Sequence, residues 1–190
     1  MKKITLFVFS VMLITTSVFS HSDAFKPAFV DTLIDPYLTV QKALARDDLE
    51  AAQKGVELYL KAMKHAPHEG KAHEEAMDLS TSATAIAKAS DIKLARTAFL
   101  TLSQEITSLV QHIGTTKETP LFIAHCPMAF DNKGGSWLQS DKTVANPYYG
   151  SMMLRCGSIK KQIAGNKQSD HDGHADGASK PADSDGDHCH

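Results

Sequence analysis

Two short runs hold most of the sulfur in the C-terminal half of the chain: His125-Cys126-Pro127-Met128 and Met152-Met153-Leu154-Arg155-Cys156. Pro127 fixes its own φ and biases Cys126 toward an extended conformation. In an extended chain residues i and i+2 point to the same side, so Cys126 and Met128 are expected to face one point. On a helix, Met152 and Cys156, or Met153 and Cys156, share a face. Together the runs offer two thiolates and one or two thioethers, with His125 as a further donor. Thioether sulfur is soft and uncharged, a poor ligand for Zn²⁺, Mg²⁺ or Ca²⁺. Mixed thiolate and thioether donors select Cu(I), or Ag(I) by the same softness. Two thiolates on Cu(I) leave a charge of −1, which Arg155 is placed to offset.

The same residues admit other chemistry. Cys126 and Cys156 could close a disulfide around a loop of about thirty residues, worth on the order of 3 kcal/mol. Met128, Met152 and Met153 would then be apolar filler. Thiol catalysis is a third reading, weakened by the absence of a Cys-x-x-Cys motif.

A second, chemically different set lies in residues 165–190. Asp170-His171-Asp172 with His174, and Asp187-His188-Cys189-His190, interleave imidazoles with carboxylates. Such tracts bind Cu(II), Ni(II) or Zn(II) weakly, through neutral His. The segment has almost no large apolar side chain and is expected to be a disordered tail. Its plain alternative is a solubilising acidic tail.

The elements that must position the sulfur runs are helical. Val30, Leu33, Ile34, Tyr37, Leu38 and Leu44 follow a 3.6 period, with the regular helix expected to begin near Pro36. Asp47 and Glu50 have the spacing of an N-cap and its N3 partner for a second stripe, Leu49 to Met63. A third, weaker stripe of small residues runs from about Ala72 to Ala89 and allows close helix approach. Ser90 is placed to cap the fourth helix, Ile92 to Ile113, whose periodicity is the strongest in the chain and which Gly114 stops. Four amphipathic helices with short connections predict an all-α fold, an antiparallel four-helix bundle. An irregular, sulfur-rich segment follows it. There Leu121–Ala124 reads as extended, Asp131–Ser136 as a turn and Tyr149–Cys156 as a short helix. Trp137, Tyr148, Tyr149, Phe122 and Phe130 read as anchors that pack this segment on the bundle.

Length and charge bound the rest. Of 190 residues, 1–24 read as a signal peptide: Lys2 and Lys3, an apolar run to Phe19, then small residues. Removing it and the tail leaves residues 25–164, one domain. This body carries 16 basic and 15 acidic side chains, while the tail carries 2 Lys and 6 Asp. A near-neutral body argues against a nucleic-acid partner. No other run is long enough to span a bilayer, so the mature chain is expected to be periplasmic or secreted.

Competing motifs fail. His73-Glu74-Glu75-Ala76-Met77 begins like a zincin motif but has Met77 at the second His position. His65, His68 and His73 read as ordinary exposed histidines. His112 and Met63 are weak candidates for haem axial ligands. No catalytic constellation is evident, and the chain is not expected to be an enzyme.

The motif block has a family likeness. His125-Cys126-Pro127-Met128-Ala129-Phe130, Asn132-Lys133-Gly134, Trp137-Leu138, Asn146-Pro147-Tyr148-Tyr149-Gly150 and Met153-Leu154-x-Cys156-Gly157 occur in order. In this the chain resembles the bacterial domain-of-unknown-function family 3347, over about residues 28–163. That domain occurs alone after a signal peptide, or fused to periplasmic adaptor subunits of copper/silver efflux systems. The resemblance implies copper binding through His125, Cys126, Met128, Met153 and Cys156, with Met152 an extra thioether. It also implies sequestration, or transfer to an efflux adaptor, metallochaperone or cuproenzyme. The alternative is an interaction module pinned by a Cys126–Cys156 disulfide that binds no metal.

Overall fold

The computed structural model describes residues 24–165. The signal-peptide reading and the tail residues His171, His174, His188, Cys189 and His190 lie outside the described residues. Among the described residues no helix is long and apolar enough to cross a membrane.

Four helices form as the apolar stripes dictate: α1 (Pro27–Leu44), α2 (Leu49–Met63), α3 (Gly70–Ala87) and α4 (Ile92–Ile113). Each packs on the next, and α1 also meets α4. The stripe residues Leu33, Tyr37, Val56, Tyr59, Leu79, Ile86, Phe99, Leu102 and Ile106 are buried at its centre.

Helix α1 begins nine residues before the expected start. Pro27, not Pro36, occupies the first turn, and the helix runs through Pro36. An interior proline costs about 3 kcal/mol. Burial of Val30, Leu33 and Ile34 on one side of it and Tyr37 and Leu38 on the other outweighs that cost.

Two caps fall one residue past their expected positions. Asp48, not Asp47, accepts from Ala51 N–H at 2.8 Å, and Asp91, not Ser90, accepts from Leu94 N–H at 2.9 Å. Asp47 adopts φ +61°, a left-handed conformation that Asp tolerates better than most residues. Its carboxylate is thereby free for a long-range contact.

The all-α expectation needs correction, because the C-terminal segment carries a sheet. Strands β1 (Leu121–Cys126), β2 (Gly135–Gln139) and β3 (Ser158–Ala164) pair antiparallel in the order β2-β1-β3. The β1–β2 connection contains left-handed residues Phe130, Asp131 and Asn132. The expected helix over Tyr149–Cys156 is a single 3-10 turn, Gly150–Met153.

The sheet is fastened to the bundle at its middle. The Tyr37 hydroxyl accepts from Leu138 N–H at 3.0 Å and lies 2.8 Å from the Ser103 hydroxyl. Trp137 is fully buried and meets Tyr148 edge-on, ring centres 5.6 Å apart. Tyr148 also meets Phe130 at 5.0 Å, so these aromatics are the anchors their spacing suggested. Strand β1 ends in Cys126.

A paired-cysteine candidate site

Cys126 closes β1 opposite Gly135 of β2. Its side chain is fully buried, while Cys156, beyond the 3-10 turn, is half-buried. The two Sγ atoms stand 2.7 Å apart, and both thiols are free. Residues thirty positions apart are brought together by two different devices, strand pairing for one and a clamped turn for the other.

The clamp centres on Asn146, which is fully buried. Its Nδ2 donates to Cys156 C=O at 2.8 Å, its N–H donates to Leu154 C=O at 2.8 Å, and its Oδ1 accepts from the N–H groups of Tyr148 (2.8 Å) and Tyr149 (3.2 Å). One side chain thus ties both limbs of the loop that presents Cys156. Gln41 of α1 donates to Ala145 C=O at 2.7 Å, and Arg96 Nε of α4 donates to Pro147 C=O at 2.8 Å. Arg96 Nη2 also donates to Leu44 C=O at 2.8 Å and to Asp47 Oδ1 at 2.6 Å. The second Asp47 oxygen accepts from Ser151 N–H at 2.9 Å. These contacts with Ser151 and Arg96 hold the Asp47 carboxyl down to about 2.

Two glycines are required by this packing. Gly150 has φ +62°, and a Cβ there would collide with the Asp47 carboxylate and the Arg96 guanidinium. Gly157 has φ +121°, and a Cβ would lie 2.7 Å from the His125 carbonyl oxygen. The tight approach of Gly157 lets the chain after Cys156 turn beside β1.

The remaining candidate donors are arranged unlike the expectation. His125 precedes Cys126 in the strand, so its ring projects from the opposite side. There it stacks over Gly134, with Nδ1 2.9 Å from the Ser136 hydroxyl. Pro127 and Met128 form a turn rather than extended chain, and Met128 has helical φ and ψ. The i, i+2 argument therefore does not apply, and Met128 is 45% exposed. Its carbonyl accepts from the Tyr149 hydroxyl at 2.6 Å, and Tyr149 lies within the field of both cysteines. Met153 C=O accepts from Cys156 N–H at 2.9 Å across the turn. Met152 is 77% exposed. Arg155 is spent on the Val144 carbonyl at 2.5 Å. Among the described residues no three His, Cys, Asp or Glu side chains converge as a metal-binding group.

The sulfur spacing limits what the pair holds as it stands. Two sulfurs about 2.3 Å from a tetrahedral ion are about 3.8 Å apart. A disulfide needs about 2.05 Å. The observed 2.7 Å lies between the two. Opening to hold an ion requires about 1.1 Å of movement and closing to a disulfide about 0.7 Å, and the half-buried Cys156 is the side with room to supply either. Sharing a hydrogen bond with the Cys126 sulfur, together with burial, pushes the Cys156 thiol up to about 11.

The family described as a protein of unknown function (DUF3347) matches over residues 33–118. Over those residues the chain is similar to the DUF3347 family. The DUF3347 match begins inside α1, spans the rest of the bundle and ends just before β1. It is narrower than the 28–163 that the motif block suggested, and both body cysteines lie beyond it. No curated protein and no solved structure matches the chain. The DUF3347 helices are thus the scaffold. The asparagine and arginine contacts that hold the cysteine turn were not foreseen, because their partners are backbone carbonyls, which leave no motif.

Proposed function

We propose that this is an exported copper-binding protein whose Cys126 and Cys156 take up Cu(I) as bis-thiolate cargo. Met128 and Met153 supply flexible thioethers from either flank. The observation that carries the reading is the meeting of Cys126 and Cys156 at 2.7 Å, each from a run of sequence that also holds a methionine. Soft donors of this kind favour Cu(I) or Ag(I) over harder ions. Cys156 backs away on its turn to admit the ion, while strand pairing keeps Cys126 fixed. His125, held by Ser136, stays outside this set, and Met152 serves at most as a first landing point. The role is sequestration, or hand-over to a periplasmic efflux adaptor, metallochaperone or cuproenzyme. The His/Asp tail gathers Cu(II) or Zn(II) and raises the local metal concentration. Copper and its silver analogue are cargo here, with no turnover.

The short sulfur separation favours one other reading. The pair closes as a disulfide in an oxidising compartment, and the domain is a metal-free interaction module.

Competition of the reduced full chain against a chromogenic Cu(I) chelator separates the two. Copper binding predicts one tightly held Cu(I) that is lost in Cys126→Ser and weakened in Met128→Leu and Met153→Leu. Absence of any Cys126-dependent Cu(I), with the two body cysteines paired in protein isolated without reductant, leaves the second reading.

A further inference from the structure

Where α3 packs on α4, the two helices leave a groove on the bundle surface. Its volume of about 530 Å³ is within the size range of small-molecule sites. Its origin is in the sequence. Small side chains such as Ala85 of α3 and Ala98 of α4 line it where larger residues would have filled the space. The small residues of α3 leave this groove beside the α3–α4 contact.

The groove is apolar and acidic at once. Leu79, Ala85 and Ala98 give it hydrocarbon walls, while Glu75, Asp78 and Glu105 bring three carboxylates, and among the described residues lining it none is basic. Glu75 is paired with Lys71 at 3.6 Å, one turn away. Glu105 accepts a 2.5 Å hydrogen bond from the Ser82 hydroxyl and is half-buried. Behind it on α2, Tyr59 is fully buried, and among the described residues its hydroxyl has no hydrogen-bond partner. The Glu105 charge bears on that hydroxyl.

We infer that this groove binds a small organic monocation with an apolar body, an aromatic or alkyl amine, whose ammonium pairs with Glu105. Charge complementarity selects the occupant. A carboxylate ligand would meet three like charges. The chain's own tail, with six Asp and two Lys, has the wrong sign for the groove. A neutral apolar molecule would cover the half-buried Glu105 carboxylate without compensating its charge.

Glu105 itself supports the choice. Burial first, and the neighbouring Asp78 charge, push its carboxyl up to about 7 against the opposing Ser82 hydrogen bond. The charged and titratable groups facing it are Asp78 and Glu75 from α3 and Tyr59 from α2. A cation is the missing term that would stabilise the ionised form. Amine binding is therefore expected to strengthen as pH rises from 6 to 8.

Amide NMR of the full chain titrated with benzylamine tests this, with benzyl alcohol and benzoate as controls. The expected result is saturable shifts at Ser82, Ala85, Ala98 and Thr101 with benzylamine. Neither control should match it, and the affinity should drop about tenfold in Glu105→Gln. Overturning results are an absence of saturable shifts, equal binding of benzyl alcohol, or indifference to Glu105→Gln. Displacement of tail amide signals by benzylamine would make the tail the occupant and would also overturn it. Cys126→Ser is expected to leave benzylamine affinity unchanged, so loss of copper binding and loss of amine binding are read separately.

Discussion

Arg96 of α4 and Asp47 of the α1–α2 connection form a 2.6 Å ion pair that joins the bundle to the cysteine-bearing turn. Arg96 reaches onward to Pro147, and Asp47 to Ser151, so one pair braces both limbs of the loop that ends in Cys156. The bundle thereby sets where the second sulfur stands.

Replacing Asp47 by Asn keeps a residue that tolerates the left-handed conformation and removes the charge. The carboxyl sits at about 2 in the fold, below its usual value, so its stabilisation is present above about pH 4 and lost as pH falls toward 2. Asp47 is partly solvent-exposed, so the expected cost at neutral pH is only about 1 kcal/mol. Urea unfolding at pH 7 and pH 3 checks it, and the difference between the two proteins should shrink at the lower pH.

Gly157→Ala meets both a positive φ and the His125 carbonyl at 2.7 Å. A loss of about 2 to 3 kcal/mol is expected, from backbone strain and displacement of the turn. Ala substitution at Gly70, which also has positive φ but nothing within 4 Å of a Cβ, should cost less. Thermal unfolding of the two variants makes the comparison.

Tyr37→Phe removes the hydroxyl that bridges Ser103 and Leu138, leaving a buried N–H without its partner. About 1 to 3 kcal/mol should be lost. Amide exchange is expected to rise first at Leu138, because the missing bond is the sheet's fastening to α1.

Glu105→Gln should stabilise the protein at neutral pH. The folded carboxyl titrates near 7, above its unfolded value of about 4.5. The folded state therefore holds the extra proton between those values, and stability falls as pH rises from about 4.5 to 7. The variant removes this slope and should gain about 1 to 2 kcal/mol at pH 8, less than the full shift implies because water reaches part of the side chain. Unfolding midpoints at pH 5 and pH 8 decide it.

The helices were legible because their stripes are long and regular. Ile92 to Ile113 is a helix over its full expected length, and Gly114 ends it with φ +87°. The sheet was not. Strand β2 is five residues buried on nearly every side, and β3 holds adjacent Lys160 and Lys161 beside register shifts, so neither shows a period of two. The convergence of Cys126 and Cys156 was expected from residue type, but not the means. The expectation relied on an extended Met128 and a helical Met152 to Cys156. The structure uses a turn at Met128 and the buried Asn146 instead. The α3–α4 groove was missed because small residues permit either close packing or a gap, and sequence does not say which.

Cu(I) between the two body cysteines would be visible to X-ray absorption on the Cu(I)-loaded full chain carrying Cys189→Ser, which removes the tail thiol. A copper shell of two thiolate sulfurs with a thioether sulfur is expected, converted to a different shell by Cys126→Ser. A shell of nitrogen and oxygen that Cys126→Ser leaves unchanged would place the copper elsewhere and overturn the proposed site.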